Sequence, residues 1–127
     1  MNNTLTWSSR DMRSARALPV LLGVGAVGFA TASIIHFGVP LGPLTDSFPG
    51  ARIPEAVLAV LLGAAAVYVL VGGRAARWVV LAAVAISLLG VAFGLTVAVT
   101  AALWGDVVYH VAAAVLLVIT AVVALRQ

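Results

Sequence analysis

Four apolar stretches, at 18–37, 53–71, 78–103 and 107–125, are the feature that most restricts how this chain folds. A helix that crosses the hydrocarbon core of a bilayer needs about 20 mostly apolar residues, and each stretch is close to that length. Lipid offers the backbone no hydrogen-bond partners, so each stretch must satisfy its own N–H and C=O groups, as a helix does. The sequence therefore predicts an all-α protein with a bundle of four transmembrane helices.

The composition excludes a soluble domain. Hydrophobic residues make up 64% of the chain and charged residues only 9%, whereas a soluble domain carries about 25% charged residues. Outside the four spans there remain a polar tail at 1–17 and three short connections, so we expect a cytoplasmic tail followed by one transmembrane domain at 18–127. The chain has no cysteine, which rules out disulfides and thiolate metal sites.

The charged residues predict the orientation of the bundle. All seven basic residues are arginines, and six of them lie in the tail, between the second and third spans, or after the fourth span: Arg10, Arg13, Arg16, Arg74, Arg77 and Arg126. With Asp11 they give +5 on that side, whereas Arg52, Asp46, Glu55 and Asp106 give −2 on the other. The positive-inside rule then predicts that both termini are cytoplasmic, in a multi-pass protein of the cell membrane, the bacterial inner membrane in particular. The partner implied by these arginines is the lipid bilayer with its anionic inner leaflet, and not nucleic acid.

The ends of the spans carry capping signals. Gly72 can end the second helix in a left-handed conformation, and Asp106 is placed to cap the fourth helix. The third and fourth spans are joined only by Trp104, Gly105 and Asp106, which predicts antiparallel neighbours. The first span contains a small-residue sequence at 30–32 that resembles a signal-peptidase site, but the length of the span favours a retained helix.

Small residues form stripes along the spans and predict where helices approach one another. The glycines of these stripes are Gly25, Gly28, Gly63, Gly90 and Gly94, the last two in a GxxxG pattern. Membrane helices associate through such stripes, because burying apolar surface contributes little within lipid. Contact within the bundle and contact with a second copy are both open.

The ionisable residues are collected at the outer ends of the helices. His36 ends the first span, Glu55 lies in the first turn of the second, and Tyr109 and His110 lie in the first turn of the fourth. His36, Glu55 and His110 each continue a stripe of small residues, so we expect them to face inward. Arg52 is three residues before Glu55 and Asp106 is four before His110, spacings that allow local pairing.

Such a cluster allows several interpretations. No metal-binding spacing such as HxxxH or ExxH is present, so we predict no metal site. A ligand or proton site is one alternative, since ionisable groups inside a membrane are often functional. The other is an interfacial hydrogen-bonded rim that only caps helix ends. A channel is not expected, because no continuous series of polar residues follows any span.

Three short segments carry a resemblance to a known family: Ile35-His36-Phe37-Gly38, Arg52-Ile53-Pro54-Glu55-Ala56-Val57 and Val108-Tyr109-His110. In these segments the chain resembles the small four-helix, actinobacterial-type proteins of the DoxX-like class. This resemblance implies a four-helix architecture and an accessory role in a membrane complex. The chain lacks the first-span lysine and the cysteines of better-studied members, so a redox role is not carried over.

Two functions are therefore expected as alternatives. The first is an accessory or interaction subunit, bound to another membrane protein or to a second copy and needing no cofactor. The second is a membrane enzyme or carrier that binds a small apolar or quinone-like ligand at an outer pocket formed by His36, Glu55 and His110.

Overall fold

The computed structural model of the protein describes the backbone of residues 9–42 and 50–127 and the side chains of residues 17–42 and 50–127. Within these ranges there are no strands and four helices: α1 (Ser9–His36), α2 (Arg52–Leu70), α3 (Ala76–Thr100) and α4 (Trp104–Leu125). Each helix contains a segment long and apolar enough to cross a membrane, which in α1 is Ala17–His36. The chain is thus an all-helical, multi-pass membrane protein.

Helix α1 begins well before the apolar stretch that predicted it. It starts at Ser9, inside the predicted polar tail. Residues 9–17 contain neither glycine nor proline and are rich in arginine and alanine, so the helix continues beyond its apolar part. Residues 1–8 and Asp46 of the first loop lie outside the described residues, as do the side chains of Arg10, Asp11, Arg13 and Arg16.

Three helices end in the same hydrogen-bonded turn, the Schellman motif. At the end of α2, Gly72 has a φ of +72°, and the N–H groups of Gly72 and Gly73 donate to the carbonyls of Val69 and Tyr68. The predicted left-handed glycine is therefore present. The same pattern ends α1 at Gly38 and α3 at Ala102.

The connection between α3 and α4 differs from the predicted one. It comprises residues 101–103, and α4 already begins at Trp104. Asp106 consequently lies in the first turn of α4 and does not cap it: the N-cap residue is Leu103, without a side-chain hydrogen bond. The prediction of an Asp106 cap was wrong, because the turn at Ala102 starts the helix three residues earlier than the apolar pattern indicated.

The helices pack as a ring in chain order. α1 packs closely against α2 and α4, and α3 against α2 and α4, while the backbones of the two diagonal pairs do not approach each other closely within the described residues. Fully buried leucine and valine side chains fill the interior, among them Leu22, Leu62, Val84 and Leu117. Outward-facing residues are also apolar, such as Val60 at 72% exposure, as expected for a surface that faces lipid.

Three threonine hydroxyl groups of the spans bond within their own helix. Thr96, Thr100 and Thr120 each donate to the carbonyl four residues earlier, at O···O distances of 2.7–2.9 Å. These bonds satisfy the hydroxyls without any partner from another helix.

Candidate functional site

One pocket receives residues from all four helices. Its volume is about 60 Å³, and its lining combines apolar side chains with four ionisable ones, His36, Glu55, Asp106 and His110. Three lining residues are exposed, Gly50 before α2, Pro54 on α2 and Phe93 on α3, the last at 71%, and they mark its mouth between the start of α2 and α3. Sites for small ligands typically have this mixture of an apolar wall and a few convergent polar groups.

His36 and Glu55 form a buried pair at one side of the pocket. His36 Nε2 lies 3.4 Å from Glu55 Oε2, and the side chains are only 4% and 6% exposed. His36 is the last residue of α1, and Glu55 is in the first turn of α2. Both positions favour the charges these residues can carry, since a helix C-terminus attracts cations and an N-terminus attracts anions.

A hydrogen bond between α1 and α2 holds this pair in register. The Ser33 hydroxyl donates to the Arg52 carbonyl oxygen at 2.7 Å. Ser33 lies three residues before His36, and Arg52 three before Glu55. Because residues three apart share a helix face, this bond brings the two facing turns together.

His110 contributes an imidazole whose hydrogen bonding fixes its tautomer. Its Nδ1 lies 2.7 Å from the backbone oxygen of Asp106. A carbonyl only accepts, so Nδ1 donates, and in the neutral ring Nε2 carries the lone pair. The predicted spacing of Asp106 and His110 does allow contact, but the contact is with the backbone oxygen of Asp106 rather than its carboxylate.

Two glycines of α3 provide the space for their neighbours across the pocket. A Cβ atom on Gly94 would overlap Nε2 of His110, and one on Gly90 would lie 2.9 Å from Leu58 Cδ1. The GxxxG pattern of α3 therefore marks contacts within this chain. Gly25 also packs inward, against Leu62, whereas a Cβ on Gly28 would meet nothing.

Tyr109 does not line the pocket but packs against two residues that do. Its ring packs edge-on against Phe29, at 6.1 Å between centroids, and against His110, at 5.0 Å. Its hydroxyl is buried and has no hydrogen-bond partner among the described residues. Tyr109 thus contacts the pocket through Phe29 and His110, which both line it.

Arg52 lies outside the pocket. Its side chain is exposed, and the guanidinium carbon lies 5.4 Å from the centroid of the Phe37 ring. Stacking on an aromatic face is a favourable position for a guanidinium group. Of the six predicted ligand or proton residues, the structure therefore places four in the lining, His36, Glu55, Asp106 and His110, and two outside it, Tyr109 and Arg52.

The wall formed by α3 was not among the predicted site residues. It consists of Gly90, Val91, Phe93, Gly94, Val97 and Ala98. Only Gly90 and Gly94 gave any signal in the sequence, as members of a packing stripe. In the part of the chain that the structure describes, no three His, Asp or Glu side chains converge closely enough to hold a metal ion.

Comparison of the chain with family models, with curated proteins and with solved structures finds no match.

Proposed function

We propose that this protein binds a small membrane-soluble ligand in the pocket between its four helices, as a carrier or as an enzyme. The observation that carries the proposal is the burial of His36, Glu55 and His110, each at most 7% exposed, around one cavity. Burying ionisable groups in a membrane protein is costly, and the cost is usually retained where the groups act on a ligand or proton. A mouth between α2 and α3 gives such a ligand a route from the lipid.

The helix segments that form the pocket favour an antiparallel arrangement of the four helices. It combines the end of α1, the start of α2, the second half of α3 and the start of α4. Helices that alternate in direction bring these four segments to one side of the membrane. With Arg74, Arg77 and Arg126 exposed near the other helix ends, the positive-inside rule puts both termini in the cytoplasm and the pocket near the outer face of the cell membrane.

Alkylation of single cysteines tests ligand binding, because the chain contains no cysteine of its own. Val97→Cys places a thiol in the pocket lining, and Val99→Cys places one on the exposed face of the same helix. The full chain in lipid nanodiscs is treated with N-ethylmaleimide in the presence of 1-dodecanol, a decyl-substituted benzoquinone or dodecanoic acid. We expect at least one probe to slow alkylation of Val97→Cys and leave Val99→Cys unchanged. If no probe protects Val97→Cys selectively, the pocket is not a ligand site.

An accessory role is the second candidate, and the surface around Gly28 favours it. Gly28 is exposed, with open space where a Cβ would stand, so a helix of another membrane protein or a second copy can approach closely there. Gly90 and Gly94 do not serve this purpose, because they face Leu58 and His110 of this chain. Gly28→Leu is expected to remove a partner that co-purifies in mild detergent, while Val60→Leu, on another exposed face, retains it. Equal recovery from both variants would contradict a partner at Gly28.

A further inference from the structure

The pocket offers a ligand a hydrogen-bond acceptor, which is Nε2 of His110. Nδ1 is occupied by the Asp106 carbonyl oxygen. Nε2 has no hydrogen-bond partner among the described residues and is not fully enclosed by protein. The side chain as a whole is only 7% exposed, so the open face of Nε2 belongs to the pocket that His110 lines. A ligand group that bonds there must donate a proton.

The size of the pocket limits what it can enclose. Its volume of about 60 Å³ is less than half that of a cavity known to hold benzene, about 150 Å³. A six-membered ring is therefore too large to be enclosed, and a terminal CH₂–OH group fits. The remainder of the ligand must then lie in the apolar mouth beside Leu58 and Phe93.

The carboxyl groups around the pocket do not favour an anionic head group. Glu55 and Asp106 both line it, and an ionised ligand carboxylate beside either of them in its ionised form would be repelled at short range in a medium of low dielectric constant. The nearest potential cation, His36, already contacts Glu55 at 3.4 Å. An uncharged donor meets neither difficulty.

From these three observations we propose that the ligand is an uncharged aliphatic alcohol whose hydroxyl donates to Nε2 of His110, with its alkyl chain leaving between α2 and α3. This proposal rests on the proposed function and narrows its ligand class. It applies equally to a free long-chain alcohol and to the hydroxyl end of a neutral glycerolipid, because both present the same CH₂–OH group on an apolar chain.

The test compares matched probes in the alkylation assay with Val97→Cys. 1-Dodecanol and its methyl ether differ only in the ability to donate, and dodecanoic acid adds a charge. We expect dodecanol to protect at a concentration about two- to tenfold lower than its ether does, the factor contributed by one net hydrogen bond. Dodecanoic acid and the ring-bearing decyl benzoquinone should protect less than dodecanol. 1-Monolaurin, a neutral glycerolipid with a twelve-carbon chain, distinguishes the two sources: stronger protection by monolaurin indicates a glycerolipid, and weaker protection a free alcohol.

Variants of His110 test whether its imidazole ring causes the preference for the alcohol over the ether. In the Val97→Cys background, His110→Leu removes the acceptor and should make the alcohol and the ether equivalent, while His110→Gln, with an amide oxygen, should restore part of the preference. If His110→Leu does not fold, the comparison of alcohol and ether in the unaltered site still decides the matter. Equal protection by dodecanol and its ether would overturn the alcohol proposal and leave ligand binding intact, whereas the absence of protection by every probe would overturn both.

Discussion

Replacing Gly94 by alanine tests the contact between α3 and the His110 imidazole. The added Cβ would overlap Nε2 and lie 2.7 Å from Cδ2 and 3.1 Å from Cε1 of that ring. Carbon atoms pack at about 3.5–4.0 Å, so the ring must move by about 1 Å. We expect such a shift to break the hydrogen bond between Nδ1 and the Asp106 oxygen, which now lie 2.7 Å apart.

The expected loss of stability combines three contributions. Overpacking costs about 1–3 kcal/mol, and the broken hydrogen bond about 1 kcal/mol. The better helix propensity of alanine offsets about 1 kcal/mol. We expect Gly94→Ala to lower the free energy of unfolding by about 1–3 kcal/mol relative to the unaltered chain.

Unfolding in mixed micelles of a mild detergent and SDS, followed by circular dichroism, measures this difference. Gly28→Ala is the matched control, because it makes the same change in a helix where the new Cβ meets nothing. A double variant, Gly94→Ala with His110→Ala, removes the clashing ring and should recover stability relative to the sum of the single changes. Equal stability of Gly94→Ala and Gly28→Ala, or additive losses in the double variant, would refute the reasoning.

Three further substitutions give expectations in the same unfolding assay. Ala102→Gly should raise stability by about 1 kcal/mol, because alanine there has a φ of +55° and glycine adopts that conformation without steric cost; an unchanged midpoint would contradict this. Ser33→Ala should cost about 1 kcal/mol and speed amide exchange in the first turn of α2, as the bond to Arg52 is lost; unaltered exchange would show that the bond does not hold the two helices. Ser87→Ala should cause no loss, because its hydroxyl is fully buried without a partner in the described part of the chain, and removing such a group is neutral or stabilising; a loss above about 1 kcal/mol would contradict this.

The positions of the helices along the chain could be predicted, because apolar length is a direct requirement of the bilayer. It predicted the four helices and the common end of the bundle at which His36, Glu55 and His110 line one pocket. The ends of the helices were harder to predict from the sequence. Ala102 in the left-handed region gives no sequence signal, since glycine is the residue expected there, and this moved the start of α4 to Trp104.

The direction in which a residue faces could not be predicted on α3. Val97 lines the pocket and Val99 faces outward, but in a membrane protein both surfaces are apolar, so hydropathy does not distinguish them. Gly90 and Gly94 were recognised as packing positions without their partners, because a residue with no side chain carries no chemistry that matches one neighbour rather than another. Arg52 is close to Glu55 in sequence, but its side chain stacks on Phe37. Which of these two neighbours it contacts depends on the conformation of the loop.

The division of the pocket between two helix pairs has a consequence for biosynthesis. His36 and Glu55 belong to α1 and α2, which emerge from the ribosome first, while Asp106 and His110 belong to α4. The His36–Glu55 pair can therefore form before the α3 and α4 parts of the wall have been synthesised, and the wall is complete only when these two helices dock. Completion of the site coincides with completion of the fold, so a chain arrested after its second helix holds half of the polar groups and no pocket.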